Sequence, residues 1–332
     1  MRKNYLFIFL FPGFISVAQT LTQSFNEPKV GEVDKKYSLD TSAYTSGLPN
    51  NVSGMNVVWD FTKVAGAFPI IFDSVVTPSA VPGASAFPSA TYAEKRDNIN
   101  SFYKSTSSPQ QTEMLGATSP SLTLTFTNSA LVATYPISYG YSNTDAVTGT
   151  FKYNSTTGVC NGSISVMADG TGTLNFPNGV SFTNVLRVRS IEQVTMSTAI
   201  PVGSIYQTIY HYYAPGKKYP VLTVQYQDYE MLVSTPKFTA QALGSSDYFT
   251  VADVKDHEIS GINIYPNPFS DKMFITGLDG RSCWVRIFNQ VGQLLFNAIS
   301  QGEVGLEQLP PGIYMVAIRA GESSSFRKMV KQ

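Results

Sequence analysis

Chemistry in this chain would fall to carboxylates, because the usual nucleophile–base sets are nearly absent. The 332 residues include two histidines and two cysteines. A Ser-His-Asp or Cys-His centre needs a base within hydrogen-bond reach of its nucleophile. His257 lies in a polar stretch that reads as a linker. His211 shares strand parity with Ile205, Ile209 and Tyr213 in "IYQTIYHYYAPG", the setting of a structural histidine. Cys160, in "GVCNGS", has no basic neighbour to lower its pKa. No G-x-S-x-G, H-E-x-x-H or P-loop occurs, and so few His and Cys give no metal set. No cofactor is expected.

Among the acids, Glu192 is the leading candidate. In "NVLRVRSIEQVTM" (184–196) it falls on the parity of Leu186, Val188, Val194 and Met196, where burial would raise its pKa and suit a general acid. A register break near Ser190–Ile191, or an ion pair with a nearby arginine, is the competing and favoured reading. Asp60 in "VVWDFT" is a second acid, and the sequence gives no pairing between the two. Asp169 in "ADGTG" lacks the other acidic ligands of a calcium loop and reads as a hairpin turn. A rival use of the same strands is binding. Tyr206, Tyr210 and Tyr212 share the face opposite Ile205 and Ile209, and an exposed tyrosine row suits sugar rings or protein partners. The competing and favoured reading is that they cover a second core layer or an adjacent sheet. Trp59, beside Asp60, is equally ambiguous.

Short alternating runs must position these residues. "SLTLTFT" (121–127), "PVLTVQYQ" (220–227) and 184–196 have the period-2 pattern of half-buried strands. Ala168-Asp169-Gly170, Pro177-Asn178-Gly179 and Pro215-Gly216 read as turns between strands. "TYAEKRDNINSFYKS" (91–105) is the one helix candidate, and 76–120 reads as a region of long loops. Hydrophobic content of 43% with 14% charge describes a folding chain. Equal counts of basic and acidic residues give nothing that points to nucleic acid.

Arg2 and Lys3 precede the apolar "YLFIFLFPGFISV" (5–17), a signal-peptide pattern with cleavage between Ala18 and Gln19. The run is too short, and too broken by Pro12-Gly13, to span a bilayer. Removing Arg2 and Lys3 leaves 21 basic and 23 acidic residues. The expected organisation is a signal peptide (1–18), an exported β-sandwich-like cargo domain (19–255), a linker (256–261) and a small immunoglobulin-like β-sandwich (262–332), so an all-β protein.

In that last segment Pro266 and Pro268 suit an edge strand or a turn entering "KMFIT". "CWVRIFNQVGQLLFNA" reads as a hairpin turning through Asn289–Gly292, and "GIYMVAIRAGESSSFRKMV" as another turning at Ala320–Glu322. Tyr265-Pro266-Asn267-Pro268, the strand–Gly292–strand phrase, Leu309-Pro310-Pro311-Gly312-Ile313-Tyr314 and the terminal Lys328-Met329-Val330-Lys331-Gln332 follow in order. In these residues the tail resembles the type A C-terminal sorting domain of the type IX secretion system of Bacteroidota. The resemblance implies passage through the periplasm and across the outer membrane. It also implies recognition by the secretion machinery, removal by a sortase-like peptidase and possible attachment to surface lipopolysaccharide. The tail itself is then expected to carry no chemistry. Segments 168–190 and 211–222 resemble secreted flavobacterial proteins with the same tail, a likeness that implies no activity. The cargo is expected to be a non-catalytic binding or adhesion module with a glycan or protein ligand. A carboxylate-dependent polysaccharide hydrolase and a structural surface protein are the alternatives.

Overall fold

A computed structural model describes residues 19–41, 43–45, 47–231, 234–249, 262–278, 280–289, 294–320 and 323–332. The signal-peptide segment with Ala18, the linker with His257, and Gly292 fall outside these residues.

The first thirteen strands are β1 (Val33–Asp40), β2 (Gly54–Asp60), β3 (Ala65–Val76), β4 (Tyr92–Arg96), β5 (Ile99–Ser107), β6 (Gln110–Thr118), β7 (Leu122–Thr134), β8 (Ser142–Tyr153), β9 (Thr156–Asn175), β10 (Ser181–Ser197), β11 (Pro201–Tyr213), β12 (Leu222–Met231) and β13 (Ser234–Ser245). Their order is β10-β11-β12-β13-β1-β3-β4-β5-β6-β7-β8-β9, and β9 pairs back to β10. The result is a closed antiparallel barrel of twelve strands and not the expected sandwich. The sandwich expectation failed because closure rests on pairings remote in sequence. β1 lies between β3 and β13, with Lys36 opposite Ser245. β2 lies outside the ring and pairs in parallel with the end of β9.

Two local expectations also give way. Segment 91–105 is the β4–β5 hairpin, turning at Asp97 in a left-handed conformation (φ 51°). Its alternation of Tyr92, Glu94 and Arg96 against Ala93 and Lys95 has period 2, the strand repeat. Asp169 lies within β9 and not in a hairpin turn, at a bulge where Arg187 faces Gly170 and Val188 faces Ala168. The loop region shrinks to 77–91, since β4–β6 occupy most of 92–118.

The barrel buries apolar surface on both sides of its wall. Inside, Phe126, Phe151, Cys160, Ile164, Leu186, Val188, Val194 and Met196 pack along β7–β11. Outside, Trp59, Phe61, Leu174, Phe176, Tyr212, Leu222 and Val224 form a second core beneath β2 and its flanking loops. Loop 77–91 closes a third over Ala93, Phe102 and Leu115. β2 approaches closely because Gly172 has no side chain: a Cβ there would lie 1.8 Å from the Val57 carbonyl oxygen. Elsewhere the outer surface is polar. Ser142, Thr144, Thr148, Thr150 and Lys152 alternate outward on β8, as do Gln193 and Thr195 on β10. Membrane barrels have the reverse pattern, an apolar outer band around a polar interior. No helix among the described residues is long and apolar enough to cross a membrane.

The remaining strands are β14 (Asn263–Tyr265), β15 (Lys272–Thr276), β16 (Cys283–Phe288), β17 (Leu294–Ser300), β18 (Glu303–Gly305), β19 (Gly312–Ala320) and β20 (Ser323–Lys331). They form two sheets, β14-β15-β18 and β17-β16-β19-β20, around a core that includes Phe269, Met273, Val285, Ile287, Leu306 and Val316. Both expected hairpins are present as β16–β17 and β19–β20. The proline phrase follows the short edge strand β14.

Candidate functional site: the barrel lumen

Facing strands put a specific set of polar groups inside the ring. On β10, Glu192 shares the inward parity of Val188 and Val194, with an unbroken register from Val188 to Met196. Opposite it on β11 stands Gln207, and His211 follows on the same face. On β12 the inward face is Thr223, Gln225 and Gln227. Arg96 of β4 donates to Gln225 at 3.3 Å although three strands separate their own in the ring. Such a contact is made across the interior.

The lumen is therefore two-sided. β7–β11 carry most of the apolar lining, interrupted by Glu192, Gln207 and His211. β1, β3 and β4 present a chain of ion pairs: Lys36 Nζ meets Asp34 at 2.9 Å and Asp73 at 2.8 Å, and Arg96 donates to Asp73 at 2.7 Å. Burial raises the Asp73 carboxyl, but Arg96 and Lys36 outweigh it and hold Asp73 well below the usual range. The Asp34 carboxyl is raised by burial despite Lys36. These four charges balance one another. Glu192 stands apart from them, Glu94 lies within electrostatic reach of all four, and neither makes a direct hydrogen bond or ion pair with the described residues. Glu94 and Glu192 lie six strands apart in the ring of twelve, on opposite walls. Burial pushes each up to about 7, with Asp73 adding to the effect at Glu94. Tyr103 on β5 feels both carboxylates, and burial with those charges raises its hydroxyl well above normal.

His211 is pushed down to about 3, by burial first and then by Lys36 and Arg96. It is neutral at physiological pH and shares a 3.2 Å hydrogen bond with Thr223. Cys160 is pushed up to about 11 by burial, which leaves its thiol inert. Among the described residues no group of three His, Cys, Asp or Glu is placed to hold a metal.

One mouth is crossed by the chain's own residues 19–32. Leu21 pairs with Ile137 beyond the end of β7, and Gln23 donates to Thr106 at the end of β5 (2.8 Å). Glu27 accepts from Thr112 on β6. On the far side, Asn26 donates to the Lys218 carbonyl (3.1 Å) in the β11–β12 turn, and Glu32 accepts from Lys218 and from Tyr219 (2.6 Å). The β5–β6 and β11–β12 walls are diametrically opposed in the ring, so the segment is a strap across the opening.

The other sequence candidates lie outside the lumen. Asp60 is exposed at the end of β2, its carboxylate lowered by hydrogen bonds from the Thr62 side chain and amide, so it cannot face Glu192. The three tyrosines do share the outer face, but that face is covered. Tyr212 is 0% exposed, edge-on to Trp59 at 5.1 Å and to Phe61 at 5.9 Å. Tyr210 is half-buried against Tyr226 and Arg187, and Tyr206 alone is open. Trp59 is fully buried and donates to the Val52 carbonyl. Asp169 accepts from Arg187 at 2.7 Å, and Arg187 lies between the Trp59 and Tyr210 rings. The residues that sequence reasoning missed are Asp34, Lys36, Asp73, Glu94, Arg96 and Tyr103. The alternation of Tyr92, Glu94 and Arg96 was the available signal.

In the tail, the motif residues hold the sandwich together. The Asn267 side chain grips the edge strand β20, accepting from the Val330 amide at 2.9 Å and donating to the Lys328 carbonyl at 3.1 Å. Phe269 bonds Val330 and Gln332 through its backbone. Lys331 is buried and donates to the Leu306 carbonyl at 2.7 Å, and the Tyr314 hydroxyl donates to the Pro310 carbonyl. Leu309 is buried, and Gly312 starts β19. Tyr265, Pro266, Pro268 and Lys328 remain exposed, with Tyr265 stacked on Phe274.

Residues 263–332 match the family of secretion system C-terminal sorting domains. The tail is thus a type IX sorting domain, and it marks the chain for export and engages that machinery. No curated protein and no solved structure matches the chain.

Proposed function

We propose that the exported barrel is a binding protein that holds a small amphipathic molecule in its lumen. The observation that carries this reading is the two-sided interior: a mainly apolar lining on β7–β11, broken by Glu192, Gln207 and His211, faces Glu94, Tyr103, Gln225 and the ion-pair chain. Eight-stranded barrels have interiors filled by side chains or room for one small ligand, and twelve strands enclose more. Ligand sites combine apolar lining with a few convergent polar groups of perturbed pKa. The strap over one mouth weighs against the hydrolase alternative, because a polysaccharide cannot thread a barrel closed at one end. Delivery to the cell surface or release into the medium places such a binder where it meets ligands from outside. The signal peptide, the four-part division of the chain and the peptidase and lipopolysaccharide partners belong to this same reading.

The test is fluorescence titration of residues 19–332 with N-phenyl-1-naphthylamine, an uncharged apolar probe, beside the variant Ser190→Trp. Ser190 lies on the inward face of β10, so a tryptophan there fills the interior. Saturable enhancement lost in a Ser190→Trp protein with an unchanged unfolding midpoint is expected. Binding that survives the substitution would place the probe elsewhere and overturn the reading.

A further inference from the structure

Charge divides the sorting domain by sheet. Strands β16, β17, β19 and β20 contain no aspartate or glutamate, yet they carry Arg286, Arg319, Arg327, Lys328 and Lys331. Arg327 and Lys331 fall on the inward parity of the buried Met329, which leaves Arg286, Arg319 and Lys328 on the outer face. In the strands of the other sheet the one base, Lys272, pairs with Glu303 at 2.9 Å.

Apolar side chains lie among these outer bases. Trp284 is 46% exposed and stands directly opposite Ile299, which is 59% exposed. Arg286 follows two residues along β16, and beyond it Met315 pairs with Lys328. Arg319 and Phe326 are placed on this face by register alone. Opposed residues on a sheet face lie about 5 Å apart and alternate ones about 7 Å, so the group is one contiguous patch. The other sheet keeps its aromatics engaged: Tyr265 stacks on Phe274 at 5.7 Å, and Lys272 lies over Phe274 at 5.6 Å.

We infer that the outer face of β17-β16-β19-β20 is the surface by which the secretion machinery reads the tail. Its partner is a protein surface with an apolar centre and an acidic surround. Tryptophan and arginine are the side chains that anchor protein interfaces, and a face of one charge sign steers a partner of the other. An anionic membrane would also attract these bases. The protein is favoured because engagement by the machinery already belongs to this domain.

The test expresses the full chain in a bacterium with a type IX system and compares, by immunoblot, exported protein with protein held in the periplasm. Trp284→Ser and the pair Arg286→Glu/Lys328→Glu should each cut the exported fraction roughly tenfold, as loss of an interface anchor does. Trp284→Phe, and Lys272→Ala on the other sheet, should leave export unchanged. Each variant of residues 19–332 is also purified and should keep the parent's unfolding midpoint; Ile299→Ser stands in for any that does not. Normal export of the folded Trp284→Ser and charge-reversed chains overturns the surface, as does an equal loss in Lys272→Ala. The purified parent should not bind phosphatidylglycerol vesicles. Vesicle binding that the same substitutions abolish would give the face to a lipid and overturn the protein partner.

Discussion

Replacing Glu192 by glutamine should stabilise the barrel at alkaline pH and do little at acid pH. In the unfolded chain this carboxyl ionises near 4.5, whereas burial in the lumen holds its proton to about 7. Between those values the folded state binds more protons than the unfolded one, so Glu192 costs stability progressively as pH rises. The full displacement corresponds to about 3 kcal/mol at about 1.4 kcal/mol per pH unit. Glu192 is only partly shielded from solvent, so water in the lumen cuts this to about 1–2 kcal/mol. The Trp284→Phe background makes Trp59 the sole tryptophan, and that ring sits in the outer core of the barrel. Urea unfolding followed at Trp59 should give nearly equal midpoints at about pH 3.5, below the unfolded-state value, for this background with and without Glu192→Gln. At pH 8.5 the glutamine variant should be the more stable. A difference independent of pH, or a less stable variant at pH 8.5, would show that Glu192 is paired or solvated and would refute the lumenal placement.

Arg187→Ala removes the guanidinium that joins Asp169, the Asn50 carbonyl and the Trp59 and Tyr210 rings. Breaking such a buried pair should cost about 3–5 kcal/mol in the same assay, and a loss under about 1 kcal/mol would mean that β2 is held some other way. Deleting residues 19–32 should speed association of N-phenyl-1-naphthylamine in stopped-flow measurements; an unchanged rate would show that entry does not pass the strapped mouth. Asn267→Ala should weaken the tail by about 1–2 kcal/mol, for two lost hydrogen bonds. The sign would be faster hydrogen exchange at Val330, and unaltered protection there would deny the clamp.

Much of the local structure was legible in the sequence. Strand β10 and its inward parity, Glu192 included, followed from period-2 alternation, as did both tail hairpins. The expectation of a register break at Ser190–Ile191, or of an ion pair at Glu192, is not met in the described structure. The global fold was illegible because its decisive pairing, β1 with β13, joins residues about two hundred positions apart and leaves no local signature. On β12 the alternation was correct but its sense was hidden. Leu222, Val224 and Tyr226 face outward beneath β2, and Thr223, Gln225 and Gln227 line the interior. A polar face lining a lumen and a polar face in bulk solvent are identical in sequence. The tyrosine row on β11 was obscured by the same cover.

The pairing of β1 with β13 also sets the order of events as the chain is made. β1 is among the first strands to emerge and β13 the last of the barrel, so the ring cannot close until residue 245 is available. Until then, β1 exposes one row of unpaired amides and carbonyls, the feature that templates aggregation. The sorting domain begins at residue 263, only a short stretch later. A chain cut off before its cargo can close therefore also lacks the export signal, so the position of the tail works as a completeness check on the barrel.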